Sequence, residues 1–286
     1  MLLSYRGSVN RWECDENDHL NVRFCEQKLW QTLVGGLLQS GLVSASDVDS
    51  MPRRITRQHL RFQQESRTAT PISGFFSFLP GLESRGFNVL AQLRHSVSNV
   101  PLCSALSYVA ELASDGGSDI EEDIAYALPR GIDSDSAYHT LSLQAALDKG
   151  FVQTGCGVIQ SDECTAAGDL VPHMYMARTS DSMPNLWSYL AGDERVNDKE
   201  GGAVVEFRRQ YHRVLKRNEP FVVASGVLAA QGKIQRFGHL LFHALTGACC
   251  ASAQAVAVRM DLQARKAIDL APEDLAALLA KQVKPI

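Results

Sequence analysis

Several common signatures are missing from this 286-residue sequence. No apolar run approaches the roughly 18–20 residues that span a bilayer as a helix. The opening MLLSYRGSVNRW lacks a basic stretch followed by an apolar core, so it does not read as a secretory signal, and the cytoplasm is the expected compartment. Positive charge is not in excess. With 28 Lys and Arg against 32 Asp and Glu the formal net charge is −4, whereas a nucleic-acid binder normally carries a basic footprint. Neither membrane nor nucleic acid is expected as a partner. Cysteine occurs seven times, at Cys14, Cys25, Cys103, Cys156, Cys164, Cys249 and Cys250. The count is odd, and no Cys-x-x-Cys or Cys/His ligand spacing is present. This argues against a disulfide scaffold and a structural zinc site, so no metal is expected and the cysteines read as reduced, mostly packed thiols. Gly-x-Gly at 155–157 lacks the third glycine and the following helix of a phosphate loop. No Gly-x-Ser-x-Gly occurs to support Ser-His-Asp chemistry.

What is present is the composition of a folded protein, 45% apolar and 21% charged, on a chain long enough for two domains. One phrase is written twice. Residues 12–24 read WECDENDHLNVRF, and DECTAAGDLVPHM begins at Asp162. Each follows a short apolar lead-in, SYRGSVNRW or FVQTGCGVIQ. Each opens a helix-compatible segment, NVRFCEQKLWQTLVGGLLQSGL or VPHMYMARTSDSMPNLWSYLAG. In the first, Phe24, Leu29, Leu33, Leu37 and Leu38 recur at roughly helical spacing and predict one apolar face. Gly41 fits a C-cap, and Pro172 fits a first helical turn. The period then changes. Arg53–Thr68 and Val204–Leu215 alternate as strands, with Val205, Phe207, Arg209, Tyr211 and Arg213 along one face. Pro71 and Pro220 begin the next strand of each half, PISGFFSFL matching PFVVASGVLAA. LRHSVSNVPLCSALSYVAEL and LFHALTGACCASAQAVAVRM close the series, with Asn99 and Thr246-Gly247 placed for a bulge or tight turn.

The shared order of strand, long helix and several antiparallel strands predicts an α+β fold made by tandem duplication. The copies are assigned to residues 1–112 and 151–265, with 113–150 as a linker and 266–286 as a helical tail starting near Pro272. Within the linker, GGSDIEED reads as surface chain and TLSLQAALDKG as a short helix. One helix on a curled sheet leaves a face and an edge uncovered. A second copy would cover them as a pseudo-dimer, with each repeated phrase near the junction.

Asp15, His19, Leu20 and Asn21 give the order Asp-x-x-x-His-Leu-Asn at a helix start, after a strand expected to end in Trp12. This resembles the Asp-x-x-Gly-His-Val-Asn signature of hotdog-fold thioesterases of the 4-hydroxybenzoyl-CoA type. Asp18 stands where that family has glycine, and Cys25 stands at an often aromatic position. The two-copy layout is similar to the tandem (double) hotdog members, each copy a long helix wrapped by a curled antiparallel sheet. The resemblance implies an acyl-CoA thioesterase that needs no cofactor, coenzyme A entering as part of the substrate. It implies Asp15 as nucleophile or general base on the thioester carbonyl, with a backbone N–H near Val22 polarising that carbonyl. These roles suit the chemistry, because a helix N-terminus presents unpaired N–H groups and positive potential to a developing oxyanion. Asn21 could cap the helix or orient water. His19 reads as a residue that fastens the loop or bonds to Asp15.

In the second phrase Thr165 replaces Asp15, and Asp169 takes the position of His19. One working site and one altered site are therefore expected. Basic residues gather at Arg53, Arg54, Arg57 and Arg61, and again at Arg208, Arg209, Arg213, Lys216 and Arg217. They read first as solvated strand faces, although Arg forks also suit the phosphates of coenzyme A. Two other functions fit the same residues: an enoyl-CoA hydratase of hotdog type, and a non-catalytic acyl-thioester-binding protein. Whether coenzyme A or an acyl carrier protein bears the acyl group stays open, as does assembly into homo-oligomers.

Overall fold

A computed structural model describes residues 1–112, 124–191 and 200–286, and the acidic GGSDIEED stretch lies outside them. The first copy runs β1 (Leu2–Ser8), α1 (Val22–Gln39), a one-turn α2 (Met51–Arg54), β2 (Ile55–Phe62), β3 (Pro71–Phe78), β4 (Val89–His95) and β5 (Pro101–Val109). After α3 (Leu143–Asp148) the plan repeats as β6 (Val152–Val158), α4 (Pro172–Ala191), β7 (Glu200–Tyr211), β8 (Pro220–Gln231), β9 (Ile234–His243) and β10 (Cys249–Asp261). A short β11 (Lys266–Ala267) and α5 (Pro272–Ala280) close the chain.

By contacts the chain forms two units, Met1–Pro129 with Asp162–Ala177, and Arg130–Ser161 with Arg178–Ile286. In the first the strands lie in the order β1-β3-β4-β5-β2, and every pairing is antiparallel. The second has the same order, β6-β8-β9-β10-β7, again antiparallel, with β11 beside β10. Pro71 and Pro220 open their strands, where a missing N–H costs least. Asn99 and Gly247 sit at positive φ in the β4–β5 and β9–β10 turns. No helix among the described residues is long and apolar enough to cross a membrane.

α1 starts after its Asn21 cap and ends at Gln39; just beyond it Gly41, with φ 72°, lets the N–H groups of Gly41 and Leu42 reach back to Leu38 and Leu37. Its buried line is Cys25, Leu29, Leu33 and Leu37. Phe24 is only half-buried and Leu38 is exposed, so the apolar face is rotated from the one predicted. The helix lies close on its sheet. A Cβ at Gly36 would fall 2.1 Å from Phe76 Cγ, and one at Gly35 would fall 2.9 Å from the Ser4 carbonyl oxygen.

Four further expectations are corrected. β1 ends at Ser8, and Trp12 lies in a 3-10 turn with 75% of its surface exposed. Arg53 and Arg54 belong to α2, so the strand after them begins at Ile55. β7 does not alternate in burial, for Glu206, Phe207, Arg208 and Arg209 are all buried. Part of the basic series is therefore interior and not a solvated face. Arg61 donates to the Leu128 carbonyl (2.9 Å), Arg208 pairs with Asp135 (2.7 Å), and Arg209 donates to the Tyr211 hydroxyl (2.8 Å). Finally, Cys25 of α1 and Cys103 of β5 are disulfide-bonded, where the sequence suggested separate thiols.

Candidate active site

The loop from Asn10 to Asn21 is built by its own backbone. Cys14 and Leu20 form an isolated antiparallel bridge that pinches residues 15–19 into a turn. The Asp15 N–H donates to the His19 carbonyl (2.8 Å), and the Asp18 N–H donates to the Asp15 carbonyl (3.1 Å). Asp18 takes φ 59°, the left-handed conformation that glycine adopts most easily and Asp tolerates. The loop is fixed outward as well, since Leu20 donates to the Ser66 carbonyl (2.7 Å) and Asn21 to the Glu13 carbonyl (2.9 Å).

Within this frame Asp15 Oδ1 accepts the N–H groups of Asn17 (2.9 Å) and His19 (3.1 Å). The carboxylate thus closes its own turn with one oxygen. Burial raises its pKa above the usual carboxylate range, and the charge of Glu16 adds to the rise; the two N–H bonds and His19 oppose it. Asn21 caps α1, its side-chain oxygen accepting from the Arg23 N–H (2.9 Å). Val22 is the first helical residue, and its N–H belongs to the group that has no partner inside the helix. His19 Nε2 lies 3.2 Å from Glu65 Oε2, so the imidazole turns to Glu65, while the His19 backbone serves Asp15.

Two carboxylates escaped the sequence reading. Glu65 carries no local motif and reaches His19 only because the chain after β2 runs beside the loop, with His19 and Arg67 bridged. Glu13 was legible in principle, since Asn10 and Glu13 form a capping box. It is buried, accepts from the Asn10 N–H (2.8 Å) and holds Lys28 Nζ of α1 at 2.7 Å, which ties the loop to the helix.

Searches by sequence return no matching family model and no matching curated protein. Solved structures do match. A 12:0-ACP thioesterase from Umbellularia californica is similar over 89% of this chain and 93% of its own, with TM-score 0.58 and 12% identity. An acyl-ACP thioesterase from Bacteroides thetaiotaomicron is similar over 88% of this chain and 96% of its own, with TM-score 0.51 and 12% identity. The likeness runs through both copies and is a likeness of fold. The chain is a tandem hotdog.

The second hotdog keeps the loop's backbone. Cys164 and Leu170 form the same bridge, Thr165 donates to the Asp169 carbonyl (2.8 Å), and Val171 donates to the Glu163 carbonyl (3.1 Å). Gly168 stands at the Asp18 position with φ 80°. The side chains at the candidate reactive positions differ. Thr165 stands for Asp15, Asp169 for His19 and Val171 for Asn21, and Pro172 stands for Val22 and has no N–H to offer an oxyanion. Asp169 is fully buried, with Oδ2 2.6 Å from Arg53 Nε.

Proposed function

We propose that this chain is a thioester hydrolase that cleaves an acyl-CoA or acyl-carrier thioester into a carboxylic acid and a free thiol, with Asp15 as the working carboxylate. One observation carries the reading. Asp15 is held by two backbone N–H groups on one oxygen, directly before the N-terminus of α1, with its basicity raised by burial. The held oxygen fixes the carboxylate's orientation, and the other oxygen serves as base or nucleophile.

As base, Asp15 takes a proton from water while the water oxygen adds to the carbonyl carbon. The oxyanion meets the Val22 N–H and the positive end of α1. Collapse breaks the C–S bond, and the departing thiolate takes up the proton. As nucleophile, the same oxygen adds to the carbonyl carbon, and the C–S bond breaks to expel the thiolate. Water then opens the mixed anhydride, returning the Asp15 carboxylate, releasing the acid and supplying the proton the thiolate takes up. Glu65 keeps the His19 ring in place, and the Lys28–Glu13 pair keeps the loop seated on α1.

The acyl-ACP substrates named for the two solved structures place carrier-bound thioesters beside acyl-CoAs in the panel to be tested. Free thiol is measured on that panel for the wild type and for Asp15→Asn. Turnover is expected to fall by about 10²–10⁴-fold in the variant. An Asp15→Asn protein with undiminished turnover sinks the assignment. Loss of enoyl absorbance from a trans-2-enoyl-CoA without thiol release would favour hydration, and binding without any turnover would favour the carrier reading.

A further inference from the structure

The second loop has an occupant. Three contacts reach it from one segment, the 3-10 turn and one-turn α2 that precede β2: Thr165 Oγ1 donates to the Asp49 carbonyl (3.2 Å), the Ala166 N–H donates to Asp49 Oδ1 (3.2 Å), and Arg53 Nε lies 2.6 Å from Asp169 Oδ2. Thr165 and Asp169 are the positions that carry the carboxylate and the imidazole in the first loop, so the segment engages the two places where chemistry would be done. The Asp169 side chain is 0% exposed. Among the described residues neither of its oxygens takes an aligned hydrogen bond, and its charge is balanced by the Arg53 ion pair. A buried carboxylate stripped of its cation is strongly unfavourable. Among the described residues the pair is present in one copy only. Phe62 pairs with Cys103 as Tyr211 pairs with Ala251, which puts Gly202 at the repeat position of Arg53, with no side chain to do the same.

We propose that the Thr165–Asp169 loop is a socket for the chain's own Asp49–Arg53 segment, so that the second hotdog's site is closed by an internal ligand and each chain takes one thioester, at Asp15. The count of one rests on the reading of Asp15 given above; the socket itself does not. The duplication has thereby turned a second reaction centre into a structural joint.

Two measurements on the 286-residue chain test this separately. In thermal denaturation, Arg53→Met and Asp169→Asn are each expected to lower Tm, Arg53→Met by roughly 5–10 °C because it leaves the carboxylate buried alone. The double variant should be no worse than Arg53→Met alone. Additive losses, or no loss, overturn the socket, and this readout needs no catalysis. In calorimetry, a non-hydrolysable thioether analogue of an acyl-CoA should saturate wild type at one equivalent per chain, and Arg53→Met should release no thiol beyond the wild-type rate. Two equivalents on wild type overturn the single-site count. One equivalent that survives in wild type but is unaffected by an Asp15→Arg block would sink the Asp15 reading and leave the socket standing.

Discussion

At the scale of single residues, Asp15 answers to two demands that pull apart. Its turn needs an acceptor for the N–H groups of Asn17 and His19, and its proposed chemistry needs a charge. Burial raises its pKa in the folded state, so the fold favours the protonated carboxyl. The linkage follows: the stability this contributes is complete below the unfolded-state pKa near 3.9 and is lost as pH rises through the folded value. At neutral pH the ionised side chain is carried at a cost. Asparagine keeps an acceptor oxygen for the turn and has no charge to bury. Asp15→Asn is therefore expected to show a urea midpoint equal to or above that of wild type at pH 7.5, with the gap closing toward pH 4. A lower midpoint at pH 7.5 would make the carboxylate a structural anchor first. The sequence showed Asp15, His19 and Asn21 because they are neighbours in one turn. It concealed Glu65, which comes to His19 through strand register, and it concealed Arg53, whose partner Asp169 lies far along the chain.

At the scale of elements, each helix is fitted to its own sheet by size. In the first hotdog Gly36 of α1 lies on Phe76 of β3; in the second, the repeat positions hold Leu186 on α4 and Ser225 on β8, both fully buried. A small helix residue and a large strand residue have become a large helix residue and a small strand residue, a change in the direction that keeps core volume. The periods that predict helix and strand do not report such a swap, because the partners lie on different elements. Gly36→Ala puts a methyl group where Phe76 already stands, and about 1–3 kcal/mol of stability should be lost. Combining it with Phe76→Ala should cost less than the sum of the two single changes, as chemical denaturation of the four proteins would reveal. Strict additivity would mean that the two positions do not share one packing volume.

Across the whole molecule the copies have parted in polarity while keeping register. The row Leu60–Ala105–Ala91–Phe76 crosses the first sheet, and Arg209–Ala253–His239–Ser225 crosses the second at the same pairings. The apolar row belongs to the hotdog that keeps the candidate catalytic loop. The polar row is satisfied internally: Ser225 Oγ lies 2.9 Å from His239 Nδ1 and 3.1 Å from the Thr154 hydroxyl, which bonds in turn to Ser182 of α4 (3.3 Å). Strand periodicity made both sheets legible from sequence. It could not show that Arg209 and His239 face inward, since charged residues in a strand ordinarily mark the solvent side. The buried histidine has a consequence for the folded chain as a whole. Burial, with the charge of Arg209 beside it, holds His239 to about 3, between the rings of Phe207 and Phe237. His212 is held to about 4 by burial and by the stacked His139, against the pull of Asp135, but it lies toward solvent and contributes less. In both, the unfolded chain binds a proton near pH 6.5 that the folded chain refuses, so the stability is present above that pH and is lost as pH falls toward the folded values. Between pH 6.5 and 5, before most carboxylates titrate, His239 alone should draw down stability by about 1 kcal/mol per pH unit. His239→Gln, which can still bond to Ser225, should be less stable than wild type at pH 7.5 yet flatter across this window in urea denaturation. If the two proteins lose stability in parallel from pH 6.5 to 5, the acid response originates elsewhere and the interior of the second hotdog is not its source.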